Sequence, residues 1–139
     1  MRSALCDLVG IEVPIIQAGM SIFTSPALAA AVSNAGALGS LGAWNRPTDQ
    51  LQRELAELRD LTDRSFAVNH VVPDLNADAF AATLEHAPAV VSFALDDAGA
   101  DLIGRVHDAG SLVMQQITTV QQAQLAVEHG ADIIVAQGG

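Results

Sequence analysis

Short runs of apolar residues alternate with longer amphipathic segments along the whole chain, and this alternation limits the possible folds more than any other feature. Six of the runs have the length of a buried strand, namely residues 13–18, 37–41, 66–69, 90–94, 112–117 and 133–137. Helix-like stretches lie between them, near residues 26–34, 48–61, 76–86, 98–108 and 120–129. The strand centres recur roughly every 21 to 29 residues, which is the period of a β/α unit. The sequence therefore predicts an α/β fold of about six strands and five helices.

The six runs are apolar throughout and do not alternate in polarity, which is typical of strands that are covered on both faces. Parallel strands joined by right-handed helical crossovers are therefore expected. Two architectures can hold them, an open doubly wound sheet or part of a (β/α)8 barrel. A complete barrel needs about 250 residues, so a chain of 139 residues supplies at most about six of the eight strands.

Charge and cysteine content exclude several classes of function. Sixteen acidic residues against six Lys and Arg give a net charge of −10, so the chain offers no basic surface for nucleic acid or for anionic membranes. The lone Cys6 cannot form an internal disulfide, which favours a reducing, cytoplasmic location. Cys6 and the four histidines lack the spacing of metal ligands, so no metal site is expected.

Ligands bind at the carboxyl ends of the strands in parallel β/α folds, which directs attention to the residues that follow each apolar run. Gly19 follows the first run, Asn69 ends the third, and Gln116 and Gln137 end the last two. Side-chain alternation places the three amides at one rim. Gly19 could equally be a simple turn glycine, and Asn69 could bond either a planar heterocycle or a neighbouring loop. His70 lies beside this rim and is a weak candidate for a catalytic role.

The sequence stops just after its sixth apolar run, at Gly139, and no helix follows to cover that strand. An unprotected apolar edge invites aggregation. We therefore expect residues 1–139 to be the N-terminal portion of a single, longer domain.

Five segments, each on a predicted element and in the right order, resemble the nitronate monooxygenases, formerly called 2-nitropropane dioxygenases. They are residues 14–20, 36–42, 61–69, 90–93 and 130–138, so the resemblance covers essentially the whole chain. Members of that family are FMN-dependent (β/α)8 TIM barrels. The resemblance thus implies a truncated barrel and not an open sheet.

Roles for individual residues follow from the same resemblance. Ala18, Gly19 and Met20 would lie against the flavin ring. Asn69 would bond the cofactor. Gln116 and Gln137 match polar positions facing the flavin, and Gly138 would begin the loop beyond them. The usual catalytic histidine of the family belongs to a Glu-Ala-Gly-Gly-His motif that would place it five residues after Gly139. The catalytic residue is therefore unknown for this chain.

The resemblance implies that the parent protein is an FMN-dependent oxidoreductase, which oxidises alkyl nitronates or nitroalkanes with molecular oxygen. A flavin-dependent enoyl-acyl-carrier-protein reductase on the same scaffold is the nearest alternative. A second alternative is an inactive fragment that associates through its open sheet edges, for example as a homo-oligomer. A third is an open α/β sheet that binds another nucleotide.

Overall fold

Five parallel strands form one sheet in the computed structural model, which describes residues 3–138. The strands are β1 (Gly39–Gly42), β2 (Phe66–Val71), β3 (Val90–Ala94), β4 (Leu112–Ile117) and β5 (Ile133–Ala136). The α-helices are α1 (Ala4–Val9), α2 (Pro26–Asn34), α3 (Thr48–Leu61), α4 (Ala77–Glu85), α5 (Gly99–Asp108) and α6 (Val120–His129). Gly139, the last residue of the sequence, lies outside the described residues.

The strands lie in sequence order, β1-β2-β3-β4-β5, and each pairs with the next in parallel. A doubly wound sheet reverses its strand order at a switch point, whereas a barrel adds each new strand on the same side. The observed order confirms the predicted α/β architecture of a partial TIM barrel.

The first predicted strand, residues 13–18, is reduced to a single parallel bridge between Ile16 and Leu38. The Gln17 side chain explains why the backbone pairing does not extend beyond this bridge. Its Nε2 donates to the Ser40 carbonyl at 3.1 Å, and its Oε1 accepts from the Ser40 N–H at 3.3 Å. These bonds replace the backbone pairing of another strand residue. The described residues therefore form five strands and one isolated bridge, where about six strands were expected.

Residues 3–138 form six α-helices where about five were expected, because the sequence pattern did not predict α1. This helix has only six residues. Ser3 caps its start by accepting from the Cys6 N–H, and Gly10 ends it in the left-handed conformation at φ 77°. Cys6 and Val9 pack with strand-start residues such as Ala67 and Val90, so α1 closes the amino end of the barrel interior.

The outer face of the sheet packs against helices in two apolar clusters. Leu51, Leu55 and Leu58 of α3 contact β1 and β2, whereas Ile103 and Val106 of α5 contact β3 and β4. Side chains of the strands therefore alternate between this outer layer and the interior. Within residues 3–138, we found no helix long and apolar enough to cross a membrane.

Candidate functional site

A pocket of about 170 Å³ opens at the carboxyl end of the sheet, on its interior side. Its wall is formed by Ile16, Gln17, Ala18, Gly19, Asn69, Ser92, Met114, Gln116 and Val135. None of these nine side chains ionises. The wall combines apolar surface with side-chain amides, which suits a partly planar ligand that carries hydrogen-bonding groups.

Asn69 ends the predicted third run and is 7% exposed within β2. Parallel pairing places it beside Ser92 of β3, whose hydroxyl donates to Asn69 Oδ1 at 2.7 Å. In this bond Oδ1 is the acceptor, so the amide nitrogen is the other end of the side chain. Asn69 Nδ2 finds no acceptor among residues 3–138, so it is available to donate to a ligand in the pocket.

Gly19 brings the backbone of the loop after the bridge directly over Asn69. A Cβ at this position would collide with Asn69 Cβ and would lie 3.3 Å from Ser40 Oγ. Only glycine therefore lets the loop approach so closely. The turn alone does not require glycine here, because a close contact, and not a positive φ, excludes the side chain.

The backbone N–H groups of Ala18, Gly19 and Met20 have no hydrogen-bond acceptor in the described part of the chain. Residues 18–20 neither continue the strand pairing nor belong to a helix, and the 3-10 turn Ser21–Phe23 begins just after them. Ala18 and Gly19 line the pocket. This row of donors is the kind of backbone arrangement that holds an oxygen or nitrogen carrying negative charge.

Gln116 faces the pocket, whereas its neighbour Gln115 points to the helical layer. Gln115 Nε2 donates to the Asp96 carbonyl at 2.8 Å, and its Oε1 accepts from the Ala98 N–H at 3.2 Å. The structure thus brings together four of the predicted residues: Ala18, Gly19, Asn69 and Gln116.

The other three predicted positions lie outside this pocket. Gln137 lines an adjoining cavity of about 100 Å³ that it shares with Gln116. Met20 is 47% exposed at the start of the 3-10 turn. Gly138 is exposed, and a Cβ there would meet no described atom within 4 Å.

His70, the weak catalytic candidate, follows Asn69 in β2 and therefore points to the opposite face. It is 2% exposed, its ring packs edge-on against Phe80, and its Nε2 lies 3.0 Å from Thr83 Oγ1. Burial lowers the pKa of His70 from 6.5 to about 4. The residue is thus a neutral part of the layer between the sheet and α4, and it does not line the pocket.

Sequence reasoning missed five residues of this wall, two of them polar, Ser92 and Gln17, and three apolar, Ile16, Met114 and Val135. Ser92 could have been found from the alternation of β3, because Val90 and Ser92 share the interior face. Its bond to Asn69 depends on strand register, which a single sequence does not specify. In the part of the chain that the structure describes, no group of three or more His, Cys, Asp or Glu could hold a metal ion.

Part of a parallel β/α barrel, with a polar pocket at the carboxyl ends of its strands, is the class that this fold and site define. The nitronate monooxygenase family model matches residues 2–87 and 78–139, and the chain belongs to that family. The family is one of oxidoreductases, and its members are flavoproteins.

Two curated relatives show the range of chemistry in similar chains. A nitronate monooxygenase of Paraburkholderia phytofirmans is 34% identical, with 99% of this chain and 48% of that protein aligned. A (3aS,4S,5R,7aS)-5-hydroxy-7a-methyl-1-oxo-octahydro-1H-indene-4-carboxyl-CoA dehydrogenase of Mycobacterium tuberculosis is 33% identical, with 100% and 39% aligned. The chain thus spans less than half the length of these relatives.

Solved structures agree with this assignment. FabK from Thermotoga maritima superposes with a TM-score of 0.92 at 32% identity, covering 99% of this chain and 44% of that one. A nitroalkane oxidase from Streptomyces ansochromogenes gives a TM-score of 0.88 at 32% identity, covering 98% and 48%.

Proposed function

We propose that the protein containing this chain binds FMN at the rim pocket and oxidises alkyl nitronates with molecular oxygen. One observation supports the proposal most: the loop that carries Gly19 packs directly against Asn69 at the pocket. Within residues 3–138, the N–H groups of Ala18, Gly19 and Met20 and the amide nitrogen of Asn69 have no hydrogen-bond acceptor. A flavin ring carries oxygen and nitrogen acceptors along one edge, and these donors suit that edge. FMN, when bound, supplies the electron acceptor of the reaction.

The residues of this chain would bind and orient the ring. The loop donors would stabilise the negative charge that the ring gains on reduction. Asn69, held by Ser92, would donate a further hydrogen bond, and Gln116 of β4 would contact the ring. A pocket of about 170 Å³ is smaller than the roughly 300–1,000 Å³ of small-molecule sites. The described residues would therefore form one wall of the full site.

A nitronate is already deprotonated, whereas a neutral nitroalkane needs a base to remove its α-proton. The described wall carries no ionisable side chain, so its residues would bind the nitronate without taking up a proton. A carbonyl compound and nitrite would be the products. A cytoplasmic location fits the lone Cys6 and the acidic composition.

A flavin-dependent enoyl-acyl-carrier-protein reductase is the second candidate. The likeness to FabK favours it, and the relative that is 33% identical to this chain is named for a carboxyl-CoA dehydrogenase. Such an enzyme would take a hydride from a nicotinamide cofactor. Sequence identity does not separate the two chemistries at this level.

Anaerobic mixing distinguishes the candidates. The protein expressed from its complete coding region is loaded with FMN and mixed either with the nitronate of 2-nitropropane or with NADH. We expect the nitronate to bleach the flavin absorption and nitrite to appear when oxygen is admitted. Bleaching by NADH alone, without turnover of the nitronate, would favour the reductase instead.

The inactive-fragment alternative has its own test. The chain ending at Gly139 is passed over a size-exclusion column with and without FMN. Aggregates or dimers without flavin binding would indicate association through open sheet edges, whereas a monomer that unfolds cooperatively would count against it.

A further inference from the structure

Arg46 is a buried cation in the loop between β1 and α3, and its side chain is 1% exposed. Its Nε donates to the Gly42 carbonyl at 2.8 Å. One terminal nitrogen donates to the carbonyls of Ser21 at 2.9 Å and Thr24 at 2.8 Å. The other faces the Glu54 carboxylate of α3. Burial lowers the pKa of the Arg46 guanidinium below its usual value, and this direction shows that burying the charge is unfavourable.

Ser21 is the first residue of the 3-10 turn Ser21–Phe23, and Thr24 is the residue that follows it. The turn comes directly after residues 18–20, whose backbone N–H groups are unpaired among the described residues. Arg46 therefore ties the pocket loop to the end of β1. Two further bonds join the same segments: Ser21 Oγ donates to the Trp44 carbonyl at 2.7 Å, and the Gly42 N–H donates to Thr24 Oγ1 at 2.9 Å.

Backbone packs directly on backbone at this junction. A Cβ on Gly42 would lie 2.5 Å from the Ser21 nitrogen, so the loop and the strand end leave no space for a side chain. Ser21 itself adopts the left-handed conformation at φ 50°, which is unfavourable for a residue other than glycine. A conformation of this kind persists when surrounding contacts hold it. Arg46 supplies two of those contacts.

Arginine suits this position better than lysine. Its planar guanidinium directs several N–H donors outward at fixed angles, whereas a lysine ammonium is one compact charge on a flexible stem. Glu54 compensates the charge, and Gln50 in turn donates to Glu54 at 2.7 Å. The Arg46 guanidinium thus bridges three backbone carbonyls and one carboxylate.

We propose that Arg46 is a positioning residue, which acts through the loop to hold the backbone donors of Ala18, Gly19 and Met20 against the flavin ring. The inference rests on the proposed FMN site. Arg46 does not line the pocket itself, so it acts only through the geometry of the loop.

The test compares Arg46→Met with Leu55→Ala in the protein expressed from its complete coding region. Leu55 is fully buried on α3, and its apolar cluster contains no residue of the segment 18–24. Its truncation should therefore destabilise the same helix without removing the hydrogen bonds that Arg46 makes to the loop. We expect Arg46→Met to weaken FMN binding about tenfold, measured by fluorescence titration well below the melting temperature. Leu55→Ala should lower the melting temperature but leave FMN affinity within about twofold. Equal FMN affinity in the two variants would overturn the proposal.

A readout without flavin separates this proposal from the FMN site. In the apo protein, amide hydrogen exchange in the peptide containing Ser21–Phe23 should be faster in Arg46→Met and unchanged in Leu55→Ala. Faster exchange with no FMN binding by the unchanged protein would show that Arg46 fixes the loop but that the proposed function, and the flavin-positioning role with it, is wrong. Unchanged exchange would overturn the role of Arg46 alone.

Two more variants keep the test decisive if Arg46→Met does not fold. Arg46→Lys retains a charge for Glu54 but cannot bond all three carbonyls, so we expect it to fold and to weaken FMN binding. Glu54→Gln leaves the carbonyl bonds in place, so it should cost stability more than FMN affinity. FMN affinity that falls with Glu54→Gln and stays unchanged with Arg46→Lys would contradict the proposal.

Discussion

At the scale of single residues, the site depends on one amide whose orientation is fixed by a neighbour. Ser92 donates to Asn69 Oδ1 and leaves Nδ2 facing the pocket. Without the hydroxyl, the amide could rotate by half a turn and present an acceptor in place of a donor. The Ser92 hydroxyl therefore affects ligand binding without contacting an ionisable group.

Replacing Ser92 with alanine should weaken FMN binding about three- to tenfold, because a buried hydrogen bond is lost and the amide is no longer oriented. A fluorescence titration measures the effect. Ser111→Ala is the matched control, because Ser111 is equally buried and its hydroxyl has no partner among the described residues. If both variants bind FMN as tightly as the unchanged protein, Asn69 does not act as the oriented donor.

His70 predicts a pH dependence of stability that is separate from the site. Its Nε2 bonds Thr83, whose own hydroxyl donates to the Ala79 carbonyl, so Nε2 must be the donor of the bond to Thr83. Burial lowers the pKa in the folded state to about 4, whereas an unfolded histidine titrates near about 6.5.

The unfolded state therefore takes up the proton first as the pH falls. The free energy of unfolding should be constant above about pH 6.5 and should fall by about 3 kcal/mol by about pH 4 through this group alone. Urea denaturation at several pH values measures the slope. In His70→Gln, the loss over this range should be smaller by about that amount. An identical slope in the variant would contradict the neutral, buried histidine.

Sequence reasoning placed Asn69, Gln116 and Gln137 at one rim, because strand ends and period-two alternation are local properties. The structure has Asn69 and Gln116 at one pocket with Gly19, and Gln137 at the adjoining cavity. Their role as cofactor contacts stays a prediction. Sequence reasoning could not find the role of Ser92 or Arg46. The first depends on the register between strands, and the second on a long side chain that reaches carbonyls 22 and 25 residues away in the sequence. The catalytic base stays unassigned among the described residues.

At the scale of elements, close backbone packing sets the distance between α2 and β1. A Cβ on Gly39 would collide with the Ala29 carbonyl, and it would lie 2.7 Å from Ser33 Oγ. The helix therefore rests on the strand itself. Ser33 uses this proximity, because its hydroxyl accepts from the Gly39 N–H at 3.1 Å.

Gly39→Ala should lower the free energy of unfolding by about 2 kcal/mol or more, because the helix must move away from the strand. Chemical denaturation gives the value. Gly104→Ala is the matched control, since a Cβ there meets no described atom within 4 Å and the residue lies inside α5. That variant should be as stable as the unchanged protein or up to about 1 kcal/mol more stable. The same loss in both variants would show that glycine removal, and not the α2 contact, is responsible.

Elements with a clear signal were predicted well. The limits of β3 and β4 agree with the predicted runs 90–94 and 112–117, and α3 agrees with 48–61. The first run failed as a strand because a side chain, Gln17, satisfies the backbone of Ser40. Helix α1 was missed because it has only six residues and depends on packing against the amino end of the barrel interior.

At the scale of the whole molecule, the five strands form one continuous part of a barrel wall, and its interior face carries the candidate site. Apolar runs alone left two architectures open, because they do not determine the direction in which each crossover adds the next strand. The sequential strand order removes that ambiguity. The chain spans 39% to 48% of the length of the curated relatives described above. Under the proposed function, residues outside 3–138 would hold the FMN phosphate and supply any catalytic base.

The most direct measurement is the melting temperature of the protein, expressed from its complete coding region, with FMN and with AMP at about 100 times the expected dissociation constant. FMN should stabilise the folded protein by about 2.7 kcal/mol at that concentration, AMP should not, and Gly19→Val should abolish the FMN effect because its side chain would fill the space over Asn69. Equal stabilisation by both nucleotides, or a full FMN effect in Gly19→Val, would contradict a flavin site at this pocket.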